Sequence, residues 1–227
     1  MTRLHKQDLI CPHCINEQDV TIWDIIDTGQ DPDLREEVMN KRIQSWVCTN
    51  CQREWVAAEP FLYHDPDQKL LFYYGPQFSE LLREGIPEEQ NLPQQIQDAL
   101  PVEWAHASSD YTMRIMTEYN DLIEKIHTFE FGLDDRLIEV LKLALRTRQQ
   151  EIDGDHQWEA VHFLAASGND LVFSTYNEDD NWQAVNLEYE AYENAELMLA
   201  QSLPVEGRWG LVDMNWALRF VQADNPQ

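Results

Sequence analysis

Polar and apolar positions alternate along much of the first 60 residues, which is the pattern of half-buried strands. The segment DVTIWDII at 19–26 is rich in β-branched and aromatic residues, and REWVA at 53–57 has the same character. Between these predicted strands, the sequence DPD at 31–33 indicates the start of a short helix, because aspartate suits the cap and proline the first turn. We therefore expect residues 1–60 to form a β unit with an inserted helix.

The central residues, 61–150, show strand patterns followed by helix patterns. FLYHD at 61–65 and KLLFYY at 69–74 flank a turn and predict a hairpin. Further along, apolar residues recur at helical spacing over 119–129 and 134–149. We expect the second of these helices to lie on a sheet in one shared core, whose members are Phe61, Leu62, Leu71, Tyr73, Ile115, Leu137 and Leu141.

Residues 151–227 form a third predicted segment, which begins with a polar, turn-rich stretch. Strand patterns at 158–164 and 171–176 are joined by a hairpin signal, and a third strand pattern follows at 182–189. Four tryptophans in this segment supply apolar area that disordered acidic tails lack, so we expect it to be folded. Its strands are expected to extend the central sheet or to pack on it.

All four cysteines fall in two C-x-x-C pairs, at 11–14 and 48–51. Two such turns, brought together, supply the four thiolates of a tetrahedral structural zinc site, with Cys11, Cys14, Cys48 and Cys51 as ligands. A site closed by four thiolates has no position for water, so the metal would stabilise the fold and perform no reaction. The predicted fold class is α+β: an N-terminal zinc-ribbon-like β unit with an inserted short helix, followed by a mixed sheet with packed helices.

Redox chemistry is the alternative for the first pair, because CPHC is also the active-site sequence of strongly oxidising thiol oxidases of the thioredoxin superfamily. A catalytic C-x-x-C begins a helix, where the helix dipole lowers the thiol pKa, and it follows a strand–helix–strand lead-in. Here ten residues precede Cys11, and the residues after Cys14 have strand character. The pattern therefore favours a metal site over a redox site.

The chain is strongly acidic, with 42 Asp and Glu against 16 Lys and Arg and a net charge of −26. Residues 151–227 hold 15 acidic side chains and two basic ones. Such a surface repels phosphate backbones, so nucleic-acid binding is disfavoured, although Lys6, Lys41, Arg42 and Arg53 could form a local basic face. Solubility and colloidal repulsion are the favoured role of the acid, and the alternative is a basic partner or mimicry of nucleic acid.

The sequence also bears on where the protein resides. It has no run of 18 apolar residues, so no membrane-spanning helix is expected. The first ten residues carry charged side chains and lack the apolar stretch of a secretory signal. We expect a cytoplasmic protein, and paired cysteines in that compartment are metal ligands more often than disulfides.

Histidine could supply acid–base chemistry, and His64 beside Asp65 is the candidate pair. The competing interpretation is a turn in which Asp65 caps the backbone, and the sequence favours it. His127 and His162 lie on apolar elements and are expected to be satisfied core or boundary residues. His13 lies within the first cysteine turn and is expected to be exposed.

Several motifs together resemble the CpXC family, a family of unknown function named for its paired C-P-x-C turns. Beside the cysteine pairs they are Trp23-Asp24, DPDL at 31–34, FLYHDP at 61–66, YTMR at 111–114 and FGLDDRLIEVLKL at 131–143. The resemblance covers roughly residues 8–145, and the second pair, CTNC, lacks the proline but keeps both thiolates. It implies a zinc-ribbon-like, mostly bacterial protein with no assigned activity.

These observations favour a zinc-stabilised binding or adaptor module, with a protein partner, over an enzyme. The alternative is an enzyme whose site lies between the central and C-terminal parts, with His64 and Asp65 as acid–base residues. A concave site with converging polar groups would favour the enzyme. A flat apolar patch with an acidic rim would favour the adaptor.

Overall fold

The computed structural model describes residues 1–83, 92–104, 110–152, 154, 158–177 and 181–224. These residues form two compact units. The first contains the described residues of 1–82, 92–118 and 206–209, and the second contains Arg83 and the described residues of 119–205 and 210–224. The division of the chain into segments 1–60, 61–150 and 151–227 stays a prediction.

The described residues form both strands and helices, as an α+β chain requires. The strands are β1 (Arg3–Ile10), β2 (Glu17–Asp27), β3 (Ser45–Val47), β4 (Glu54–Val56), β5 (Phe61–Asp65), β6 (Leu70–Tyr74), β7 (Thr112–Met116), β8 (Ala160–Ser167), β9 (Asp170–Asn177), β10 (Asn181–Glu188) and β11 (Trp209–Gly210). The α-helices are α1 (Asp33–Met39), α2 (Ser79–Leu82), α3 (Gln94–Ala99), α4 (Tyr119–Glu130), α5 (Asp135–Ile152), α6 (Tyr189–Leu199) and α7 (Met214–Asp224). None of these helices has both the length and the apolar character needed to cross a membrane.

A mixed six-stranded sheet organises the first unit, with strand order β1-β2-β5-β6-β7-β11. The pairs β1–β2 and β5–β6 are antiparallel, whereas β2–β5 and β6–β7 are parallel. The hairpin predicted over 61–74 is confirmed, with Phe61 opposite Tyr74. Every residue of β5 and β6 is buried, because apolar and aromatic side chains occupy both faces of these central strands.

A separate antiparallel sheet, in the order β10-β9-β8, belongs to the second unit. The hairpin turn predicted at 167–170 joins β8 and β9, and Gly168 supplies the left-handed backbone (φ 62°) that the turn requires. One face of this sheet packs against α5. The shared core contains Leu137, Ile138 and Leu141 from α5, Val161 and Phe163 from β8, and Leu171 and Phe173 from β9.

The expectation of one shared core is wrong, whereas the described residues of 158–177 and 181–224 form strands and helices, as expected of a folded segment. Leu137 and Leu141 pack with β8 and β9, and they do not share one core with Phe61 and Ile115, which belong to the first unit. The strands predicted at 158–164, 171–176 and 182–189 become β8, β9 and β10, which form a sheet of their own, whereas the short strand β11 lies at the edge of the six-stranded sheet. Helical periodicity identifies the apolar face of a helix, but it does not identify the sheet that covers this face.

Candidate metal centre

Two β-hairpins carry the cysteine pairs in their turns. The turn with Cys11 joins β1 to β2, and the turn with Cys48 joins β3 to β4. In each turn the N–H of the residue after the second cysteine donates to the carbonyl of the first, Ile15 to Cys11 at 2.9 Å and Gln52 to Cys48 at 3.0 Å. Ile15 and Gln52 share a left-handed backbone, with φ of 59° and 60°. The two turns therefore have the same local conformation.

The four sulfur atoms converge between the two turns. Those of Cys11 and Cys51 lie 3.9 Å apart, and those of Cys14 and Cys48 lie 3.6 Å apart. All four sulfurs lie within 4.8 Å of one another. Thiolates at about 2.3 Å around a tetrahedral ion are separated by about 3.8 Å, which agrees with these distances. The sulfurs are too far apart for disulfides, whose sulfurs lie about 2.05 Å apart.

Side chains next to the turns form hydrogen bonds that join the two hairpins. Gln18 of β2 accepts the N–H of Thr49 at 2.9 Å and donates to the carbonyl of Val47 at 3.3 Å, so one side chain of the first hairpin binds the second at two points. Asn50 donates to the sulfur of Cys14 at 3.6 Å. Because these bonds cross between hairpins, they favour the arrangement in which the sulfurs meet.

A small apolar core lies under the sulfurs. Cys11 and Cys48 are fully buried and pack with Val20 and Ile22 of β2 and Trp55 of β4. Trp46 lies opposite Trp55 on the paired strand, with ring centroids 5.2 Å apart. The two cysteine hairpins are too small to bury a large apolar core. A bound metal would add to the free energy that stabilises their fold.

The surroundings of the thiols of Cys14 and Cys51 shift their pKa values in opposite directions. Hydrogen bonds from the backbone N–H of Asn16 and from the side chain of Asn50 lower the pKa of Cys14 to about 6. The backbone N–H of Arg53 favours the thiolate of Cys51, yet burial and the neighbouring cysteine sulfurs raise its pKa to about 11. Four thiolates this close repel one another, so the cluster reaches its fully ionised form with a cation at its centre.

All four predicted ligands are thus brought together, and their sulfurs could hold a metal ion. His13 is exposed, as expected. The first pair opens no helix, because Glu17–Asp27 after it forms β2. The helix position that lowers the thiol pKa of redox-active C-x-x-C pairs is therefore missing from this turn.

His64 and Asp65 do not form the predicted acid–base pair. They are adjacent on β5, so their side chains leave opposite faces of the sheet. Asp65 Oδ1 accepts the backbone N–H groups of Asp67 at 3.1 Å and Gln68 at 3.0 Å. The turn-cap interpretation of Asp65 is confirmed, and the acid–base interpretation of this pair is wrong.

His64 lies instead between Asp27 and Tyr111. Its Nδ1 lies 3.2 Å from Asp27 Oδ2, and its Nε2 lies 3.1 Å from the Tyr111 hydroxyl oxygen. Burial opposes the charged form of Asp27, yet the Met1 ammonium and the His64 imidazole hold the pKa of this carboxyl below its usual range. Sequence reasoning missed these partners because they are distant along the chain and share no spacing motif with His64.

A small hollow also occurs in the first unit. Its lining residues are Ile22, Trp23, Ile43, Gln44, Trp46, Glu59 and Phe61. The lining is mainly apolar and includes one titratable side chain, Glu59. Converging acid–base groups, which would favour an enzyme, do not line this hollow.

The chain matches a protein-family model described as CpXC protein over residues 9–142, which is more than half of its length. The matched region contains both cysteine pairs and ends within α5. Comparison with curated proteins gave no match, and neither did comparison with solved structures.

Proposed function

The chain belongs to the CpXC family, and we propose that it is a protein-binding module whose N-terminal β unit is a zinc ribbon. The observation that carries the proposal is the convergence of four cysteine sulfurs, from two hairpin turns of equal conformation, at the spacing of a tetrahedral tetrathiolate ion. Such a site is structural, because four thiolates leave the metal no open position.

Zinc fits the donor set of the proposed ribbon better than hard cations do. Tetrahedral sites of four thiolates select zinc or iron, whereas Mg²⁺, Ca²⁺ and Mn²⁺ prefer oxygen ligands. We assign the protein to a reducing compartment, the cytoplasm, because ligand thiols must stay unoxidised.

Exposed apolar side chains next to the cysteines support a binding role. Ile10, Ile15 and Val47 flank the two turns and are 60%, 82% and 57% exposed. Exposed apolar side chains that lie close along the chain to both turns could contact another protein. With a net charge of −26, the chain favours a partner whose surface is basic, and its charge disfavours nucleic acid.

Crosslinking in the source cells, followed by purification of the tagged full chain, tests the binding role. The test compares the wild type with the double variant Ile15→Asp/Val47→Asp, which places charge on the apolar rim. Leu197→Asp is the matched control, because Leu197 is an apolar residue of α6 that is 84% exposed. Zinc content is measured for each protein, so that loss of the ribbon is distinguished from loss of binding.

The wild type and Leu197→Asp are expected to recover the same crosslinked protein, and the double variant at least about tenfold less of it, at equal zinc content. Recovery of no specific protein by the wild type contradicts the proposal. Equal recovery by all three proteins contradicts the assignment of the binding surface to the cysteine turns.

A further inference from the structure

Five buried charged side chains lie on α4 and α5 of the second unit. They are Glu124, Lys125, Asp135, Glu139 and Lys142, each at most 5% exposed. Lys142 Nζ lies 2.9 Å from Glu124 Oε1 and 3.1 Å from Glu139 Oε1. Lys125 Nζ lies 3.0 Å from Asp135 Oδ2 and 3.4 Å from Glu139 Oε1. Buried charges are costly unless they are paired, so this group must balance its charge locally.

Glu124 links these charges to the strand β8. Its Oε1 accepts the backbone N–H of Phe163 at 3.0 Å, and its Oε2 lies 2.9 Å from His162 Nδ1. Asp121 lies one helical turn before Glu124, and its Oδ1 is 3.9 Å from the same imidazole nitrogen. Donor atoms of Asp121, Glu124 and His162 all lie within 4.8 Å of one another. Two carboxylates from a helix and one imidazole from a strand thus converge.

Acidic side chains outnumber basic ones in this group. It contains four carboxyl groups, those of Asp121, Glu124, Asp135 and Glu139, and two ammonium groups, those of Lys125 and Lys142. Glu139 Oε2, on the same network, is buried and accepts no hydrogen bond from the residues that the structure describes.

We propose that Asp121, Glu124 and His162 bind a divalent cation of the first transition row, at a second site independent of the cysteines. One imidazole and two carboxylates are a donor set that suits Mn²⁺, Fe²⁺, Co²⁺ or Zn²⁺. The distance of 2.9 Å between Glu124 Oε2 and His162 Nδ1 agrees with the spacing of two neighbouring ligand atoms at a metal ion. Two ligands about 2.1 Å from a metal and at right angles to each other lie about 3 Å apart.

Solvent access and the groups that hold Glu124 favour the same site. The side chains of His162 and Asp121 are 18% and 37% exposed, so an ion can enter from solvent, whereas that of Glu124 is 3% exposed. Lys142 and the N–H of Phe163 bind Glu124 and hold its carboxylate in place, as outer groups do at metal sites. A neutral His162 that carries its proton on Nε2 leaves Nδ1 free to bind the ion.

Titration of the zinc-loaded full chain with Mn²⁺, followed by electron paramagnetic resonance of free Mn²⁺, tests this proposal. Mn²⁺ separates the two sites because it prefers oxygen and nitrogen ligands to thiolates. Asp121→Asn and His162→Gln each remove one ligand. His127→Gln is the matched control, because His127 lies on the same helix but outside the ligand group. Circular dichroism and a thermal melt without Mn²⁺ establish that each variant folds.

The wild type is expected to bind one Mn²⁺ per chain, and His127→Gln to bind it equally. Asp121→Asn and His162→Gln are expected to weaken binding at least about tenfold. Should His162→Gln fail to fold, Asp121→Asn decides, because its side chain is partly exposed. Absence of saturable Mn²⁺ binding to the wild type overturns the proposal, and so does unchanged affinity in Asp121→Asn.

Discussion

The backbone of single residues closes both cysteine turns. Ile15 and Gln52 occupy the left-handed region that side chains with a Cβ avoid. The cost is highest for Ile15, because a β-branched residue is especially unfavourable there. Both residues persist in this conformation because the turn places their N–H groups on the carbonyls of Cys11 and Cys48. Local strain is thus accepted where it brings the sulfurs together.

Ile15→Gly is expected to stabilise the protein by about 0.5–1 kcal/mol. It removes about 1–2 kcal/mol of left-handed strain, and the added freedom of glycine in the unfolded chain offsets part of this gain. Urea unfolding of the zinc-loaded protein measures the change. Ile15→Ala is the matched control, because alanine removes the exposed side chain but keeps the Cβ. A glycine variant no more stable than the alanine variant contradicts this account.

Asp27 gives a second test at this scale, through pH. Because its pKa is lower in the folded chain than in the unfolded one, its stabilising effect is complete above the unfolded pKa and is lost as the pH falls through the folded pKa. Asp27→Asn is expected to cost about 1–3 kcal/mol at pH 7, since hydrogen bonds to a charged group are lost.

The difference in the free energy of unfolding between Asp27→Asn and the wild type should shrink below about pH 4. Urea unfolding at about pH 7 and about pH 3 measures it. Asp19→Asn is the control, because the Asp19 side chain is 57% exposed. A cost that does not change between the two pH values would show that Asp27 acts without its charge.

At the scale of elements, the sequence predicts most strands and helices and the strand pairs within two hairpins, but not the partners that are distant along the chain. FLYHD and KLLFYY become β5 and β6 because both are short apolar runs beside a turn. The pattern of RLHKQDLI does not predict the full strand β1, since this segment is largely polar and is extended because it pairs with β2. The cysteine spacing predicts the metal ligands, whereas His162 and Asp121 meet only through tertiary structure.

The helix α5 provides the test of packing at this scale. Leu141 is 6% exposed in the core that α5 forms with β8 and β9. Leu141→Ala is expected to lower the free energy of unfolding by about 2–5 kcal/mol, as large-to-small changes in packed cores do. Leu164→Ala on β8 is the control, because Leu164 is 44% exposed and should change stability by about 0.5 kcal/mol or less. Equal effects of the two substitutions would mean that α5 is not docked on its sheet.

Over the whole molecule, the excess of acid is the dominant electrostatic feature. A net charge of −26 opposes compaction, because like charges repel within the folded surface. The stabilisation from the apolar cores and from the three β-sheets of the described residues must exceed this repulsion. The repulsion can be inferred from composition alone, whereas the packing that opposes it can be identified only from the three-dimensional structure.

Added salt is therefore expected to raise the melting temperature. The screening length falls from about 30 Å at 0.01 M to about 10 Å at 0.1 M, which weakens repulsion among carboxylates. Thermal melts in KCl at these two concentrations measure the effect. A melting temperature that falls with added KCl would indicate that attractive surface pairs outweigh the repulsion.

The most direct test of the tetrathiolate site is elemental analysis of the full chain after anaerobic purification. We expect one zinc per chain in the wild type and in His13→Ser, whose side chain is exposed within the first turn. Cys48→Ser is expected to lose the zinc and to unfold the ribbon, because metal affinity at a structural site is also folding free energy. Wild-type protein without bound metal, or Cys48→Ser with its zinc retained, would contradict the account.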